Sequence, residues 1–143
     1  MQRLILFFIF ILVVGCGEKS PVNIYDSEEY KNLTKKEIIV GESVWVTTCF
    51  RCHMYGNMGA ASVRDKVHFE QLATKGFDQL YESVLNGMDG EGGVMPAKGT
   101  CFSCSEDDIK KSVYYIFHLA KKIQEAELNE KESPRLKIAS KIL

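Results

Sequence analysis

Hydrophobic positions divide the chain into four unequal parts. An unbroken apolar run from Leu4 to Val14, preceded only by the charge of Arg3, opens it. From Gly17 to Val40, "GEKSPVNIYDSEEYKNLTKKEIIV", the composition turns polar and charged, and "SEEYKNLTKK" is the one place there where a short helix is expected. From Gly41 a helical period sets in. Val44, Trp45, Thr48, Cys49 and Cys52 share one face, so the two cysteines stand one turn apart. Phe77, Leu80, Tyr81, Val84 and Leu85 form a second stripe that stops at Asn86-Gly87, residues suited to a left-handed helix end. A third helix starts after Ser105, with Glu106, Asp107 and Asp108 in its first turn, and buries Ile109, Val113, Ile116, Phe117, Ala120 and Ile123. A weaker helical stretch covers Arg64 to Ala73. No segment alternates as a strand, so the predicted class is all-α, about four short helices without an internal repeat.

At 143 residues the chain holds one small domain with extensions. Nineteen acidic residues nearly balance eighteen basic ones, which argues against nucleic acid or a strongly polyanionic partner. Docking guided by charge must therefore use local patches.

The Leu4–Val14 run is shorter than the roughly 20 residues of a spanning helix and fits the apolar core of a secretory signal. It ends in "VVGC", which looks like a bacterial lipoprotein cleavage box. Residues 1–15 are then a signal peptide, and Cys16 becomes a lipid-bearing N-terminus on the periplasmic side of a membrane. Residues 16–40 read as a flexible tether with a reach of about 25–30 Å, residues 41–124 as the folded domain, and 125–143 as a C-terminal extension. In that extension Pro134 is expected to interrupt the preceding helix, and Leu136, Ala139 and Leu143 form a narrow apolar stripe among Arg135, Lys137 and Lys141.

"CFRCH", Cys49 to His53, carries the chemistry. A thioredoxin-like dithiol needs a βαβ setting that this helical pattern lacks. A zinc site could recruit a second pair, Cys101 and Cys104 in "CFSC", to complete four thiolates. The separation between the pairs is long for a zinc ribbon, and an exported protein is more often oxidised than rich in thiolates. Covalent haem accounts for more residues. In C-x-x-C-H, Cys49 and Cys52 add to the two porphyrin vinyl groups, and His53 is carried beneath the iron as an axial ligand.

Met95 is the candidate for the sixth iron position, in the glycine-rich "GEGGVMPAKGTC" with Pro96 directly after it. Glycines let the backbone approach a flat ligand, proline stiffens the segment, and thioether ligation raises the potential relative to bis-His. Met54 and Met58 lie too near His53 in sequence to cross easily to the opposite haem face, Met88 lacks the proline, and Met1 leaves with the leader. His68 and His118 are the bis-His alternative, and each reads more simply as a surface or packing residue.

With these residues in view, Gly41 to about Lys122 resembles a class I monohaem cytochrome c of the bacterial cytochrome c5-like group. The resemblance rests on "GESVWVTTCFRCH", "GAASVRDK", "GFDQLYESVLNGM" and above all "MPAKGTCFSCSEDDI". It implies a short helical fold wrapped around one covalent haem c, axial ligation by His53 and Met95, and a Cys101–Cys104 disulfide. Ser105, not histidine, follows the second pair, so it is no second haem site. The family commonly has proline at the position of Ala61, where in the family a backbone carbonyl accepts the ring N–H of the axial histidine, and again at Ala97; any residue supplies a carbonyl, so the same bond is expected of Ala61. Trp45 and Tyr115 match positions where the first and last helices cross, with Gly41 allowing the close approach.

The function so implied is single-electron transfer between redox proteins, with no catalysis. Arg51, Tyr55, Asn57 and Met58 are the expected docking patch. The alternative within haem chemistry is an iron with a labile sixth ligand that acts as a peroxidase or gas sensor. A membrane oxidase or reductase is one class of partner.

Overall fold

In the computed structural model, residues 20–90 and 92–142 are described, with side chains described as far as Lys131. The helices are α1 (Glu28–Lys31), α2 (Lys35–Val44), α3 (Phe50–His53), α4 (Lys66–Ala73), α5 (Phe77–Asn86) and α6 (Glu106–Ile142). A small antiparallel hairpin, β1 (Met88–Gly90) and β2 (Gly93–Met95), joins α5 to the last third of the chain. The all-α class holds, with this hairpin as its one addition among the described residues. Its strands are too short and glycine-rich to show a two-residue period, so the pattern of side chains could not reveal a pairing made by backbone alone.

Helix α6 is the axis of the domain. Its start is fixed by reciprocal capping: the Ser105 hydroxyl accepts from the Asp108 N–H at 3.1 Å, and the Asp108 carboxylate accepts from the Ser105 N–H at 3.0 Å. Ile109, Val113, Phe117 and Ala120 are buried along it, as the stripe predicts, and so are Tyr114 and Tyr115. The two tyrosines are buried because partners cover more than one side of the helix. Tyr114 stacks on Phe77 of α5 with ring centroids 4.3 Å apart, and Phe117 meets Phe69 of α4 edge to face at 5.2 Å. On the α2 side, Trp45 lies 6.5 Å from Tyr115. Gly41 makes that crossing possible: a Cβ there would stand 2.5 Å from the Lys111 carbonyl oxygen.

The domain begins earlier than residue 41. Ile24 is fully buried, and Tyr25 packs edge to face on Tyr30 at 5.4 Å and on Phe117 at 5.7 Å. α2 then starts at a Thr34–Glu37 capping box, six residues before the expected boundary. The segment has too little apolar surface to fold alone, but its partner, Phe117, lies far along the chain. The expectation of a free tether through residue 40 is corrected from Asn23 onward. The expected break at Pro134 is corrected as well, since α6 runs through it to Ile142. A proline removes one N–H donor and penalises one turn, and the flanking Glu130, Lys131, Leu136 and Lys137 are good helix formers.

Residues 1–15 and Cys16 lie outside the described residues, as do the side chains of the Arg135–Leu143 stripe. Among the described residues no helix is long and apolar enough to cross a membrane.

Candidate haem site

The residues "WVTTC" form a π-helical turn, Trp45–Cys49, between α2 and α3, closed by the Phe50 N–H donating to the Trp45 carbonyl. The Thr47 hydroxyl supports the wider turn by donating to the Ser43 carbonyl at 2.9 Å. The extra residue in this turn rotates the cysteine segment relative to α2: Trp45 points into the core, while Cys49 and Cys52 sit half-buried and unbridged. Burial pushes the Cys49 thiol up to about 11, and neighbouring Cys52 adds to the rise. An activated dithiol would have the opposite tendency.

His53 ends α3 and is held by two bonds to one downstream segment. Its Nδ1–H donates to the Ala61 carbonyl at 2.9 Å, and its own carbonyl accepts from the Val63 N–H at 2.8 Å. A carbonyl can only accept, so Nδ1 carries the proton and Nε2 is left with its lone pair. Burial lowers the histidine's proton affinity, with the Ala61 bond acting against it. This is a neutral imidazole of fixed orientation, suited to ligate a metal through Nε2.

Met95 closes β2, opposite Met88 in register, and is half-buried. The backbone around it is tied at both ends to the cysteine–histidine segment. Upstream, a Cβ at Gly93 would stand 2.4 Å from the Met58 carbonyl oxygen, and one at Gly59 would stand 2.3 Å from the Gly92 carbonyl carbon. Downstream, a Cβ at Gly99 would stand 3.1 Å from the Thr48 Cγ2. Lys98, Gly99 and Thr100 take three successive positive φ values, 52°, 57° and 74°. For Thr100, a β-branched residue, that conformation costs on the order of 1–3 kcal/mol. The turn runs directly into Cys101, which is disulfide-bonded to Cys104; the Lys98 ammonium donates to the Cys104 carbonyl at 3.3 Å.

These residues fit a haem. The donor set is two free thiols and a neutral imidazole with one nitrogen spare, and α5 presents an apolar stripe with no fully buried member. With Cys101 and Cys104 joined, a four-thiolate zinc site is not formed, and among the described residues no three His, Cys, Asp or Glu side chains cluster to hold a metal. His68 is exposed on α4; His118 is half-buried on α6, its ring 6.4 Å from Tyr115. Gln124 is a buried polar residue that the sequence pattern does not single out. Its side chain, 8% exposed, donates to the Val63 carbonyl at 2.9 Å, 61 residues away in sequence. The signal was a polar residue continuing the Phe117–Ala120 apolar stripe.

Residues 36–116, over half of the chain, match the model of a family described as "Cytochrome C oxidase, cbb3-type, subunit III". The match begins one residue inside α2. A cytochrome c-555 from Chlorobaculum tepidum is 30% identical over 76 residues, 53% of this chain and 70% of that protein. A cytochrome c5 from Azotobacter vinelandii is 33% identical over 75 residues, 51% of this chain and 86% of that one. The chain belongs to the class I monohaem cytochrome c family, small helical electron-transfer proteins that carry a covalently bound c-type haem with its iron.

Proposed function

We propose that the protein carries a single haem c, attached through thioethers to Cys49 and Cys52 and ligated by His53 Nε2 and the Met95 thioether, and that it passes single electrons between redox proteins. The observation that carries the reading is the double bracket on the methionine segment. Gly93 is packed on the carbonyl of Met58, and Gly99 on Thr48, so residues 93–99 are tied on both sides of the Cys49–His53 segment. When bound, the haem supplies the reversible one-electron chemistry of its iron. The chain's part is to orient His53 through Ala61, to present Met95 on a stiff hairpin, and to exclude water with the apolar side chains of α5.

The exposed Arg51, Tyr55, Asn57 and Met58 adjoin the attachment residues and form the surface proposed for docking. The Asn57 side-chain amide donates to the Arg51 carbonyl at 2.7 Å, which holds the patch together. The proposed location is the periplasmic side of a bacterial membrane, with Cys16 as the lipid anchor.

The test is an absorption spectrum of protein made with haem-maturation machinery, oxidised and reduced, through the weak far-red band of methionine sulfur on ferric iron. A covalent haem spectrum with that band, lost in Met95→Ala, is the expected result. Haem without the band in the wild-type protein, with fast carbon monoxide binding on reduction, would replace the carrier by a gas-binding or peroxidase reading.

A further inference from the structure

We propose that Gln124 is a positioning residue for His53, acting through the Ala61–Val63 segment. The inference rests on the reading of His53 as an axial ligand. Among the described residues the imidazole makes no hydrogen bond to α6; what holds it is the carbonyl of Ala61, in a stretch outside any helix or strand. That stretch is fastened on two sides. Towards the haem motif, the Val63 N–H donates to the His53 carbonyl at 2.8 Å and the Ser62 hydroxyl to the Met54 carbonyl at 3.1 Å. Towards α6, the buried Gln124 amide donates to the Val63 carbonyl at 2.9 Å, and one turn further on Glu127 ion-pairs with Arg64 at 2.6 Å.

The Val63 side chain also packs in the core with α6 residues; of the two polar contacts with that helix, the Gln124 bond is the one that fixes the Val63 carbonyl. The Arg64 side chain is half exposed, so its pairing with Glu127 is screened by water and adds little. Val63 is fully buried, and its carbonyl has no water to turn to if the amide is withdrawn. The amide orientation is forced by chemistry, because a carbonyl acceptor must face the NH2 end of glutamine. The Gln124–Val63–His53 relay therefore ties the orientation of the histidine to the helix that forms the core. Donation from Nδ1–H makes Nε2 a stronger donor and favours ferric iron. Loosening the segment weakens that bond and shifts the equilibrium towards ferrous iron.

The experiment compares the wild-type holoprotein with Gln124→Met, which keeps length and helix propensity and deletes the donor. Thr34→Ala, which removes the cap of α2, is the stability control. Expected for Gln124→Met are intact covalent haem, a reduction potential displaced upward, and exchange of the Val63 amide proton faster by about tenfold or more; in Thr34→Ala the potential does not move, and Val63 exchange rises no further than the loss of global stability accounts for. Gln124→Asn, whose amide is too short to reach, shifts the potential in the same direction and carries the test if the methionine variant does not fold. A wild-type potential and wild-type Val63 exchange in a folded Gln124 variant overturn the proposal and leave the haem reading intact. A wild-type chain without covalent haem overturns the axial-histidine reading itself, and the proposal with it.

Discussion

Gly41 and Tyr115 lie in such close contact that a methyl group on residue 41 would stand 2.6 Å from the Tyr115 Cβ. This approach fixes how α2 crosses α6, and α2 leads through the π-helical turn into Cys49. The crossing that seats Trp45 against Tyr115 therefore also aims the Cys49–His53 segment, the proposed haem attachment.

Gly41→Ala should be destabilising although alanine is the better helix former. The overpacking cost, on the order of 1–3 kcal/mol, exceeds the gain of about 1 kcal/mol from replacing a helical glycine, because one obstacle is backbone, the Lys111 carbonyl. Urea unfolding checks this. A midpoint equal to or above the wild-type value would mean the helices slide apart freely.

Gly59→Ala should act on the proposed Met95 ligation more than on the fold. Residue 59 has φ 76°, and its added methyl would meet the backbone of Gly92. Strain and clash of about 1–3 kcal/mol push the hairpin away from the turn before Ala60. The far-red ferric band should weaken while covalent haem is retained. An unchanged band would detach Met95 from this backbone contact.

Ile24→Ala tests whether the residues before 41 belong to the domain. A fully buried isoleucine truncated in this way costs about 2–5 kcal/mol, and Tyr25 should lose its seat against Phe117. Thermal unfolding of the variant, beside a chain starting at Gly41, gives the measurement. If both melt like the full protein, the segment is a tether after all.

The cap of α6 predicts a loss of stability in acid. Hydrogen bonds from the Ser105 side chain and then its backbone hold the Asp108 carboxyl below its ordinary value. Since its proton affinity is lower in the folded state, the stabilisation is complete above the unfolded-state value and disappears as pH falls through the folded-state one. Asp108→Asn should be less stable than wild type at pH 7, and the gap should narrow at pH 3. A gap that stays constant between the two pH values, measured by urea titration, would remove the carboxylate from the account.

Changing Arg51 and Met58 together should slow electron exchange with a physiological partner and flatten its dependence on ionic strength. Met58 is 77% exposed, which leaves most of an apolar side chain free to be covered by a partner, and Arg51 supplies the charge beside it. Stopped-flow rates at several salt concentrations decide the matter, and unaltered rates throughout would end the patch assignment.

Much of this protein is set by local chemistry and is legible in one dimension. The spacing of "CFRCH", the Met95-Pro96 pair in its glycine-rich loop, the Phe77–Leu85 stripe and the Ser105 cap each depend on residues within a few positions of one another. Helix period, capping and motif spacing are short-range rules, so the all-α class and the candidate ligands could be read directly. What only the tertiary structure decided involves partners distant along the chain. Ile24 and Tyr25 look like tether until Phe117 covers them, and the glycines at 59 and 93 look merely flexible until the backbones of Gly92 and Met58 are found against them. Gln124 is a polar interruption of an apolar stripe until the Val63 carbonyl, 61 residues away, gives it a purpose. A buried polar group is defined by its partner, and the fold alone brings the two together.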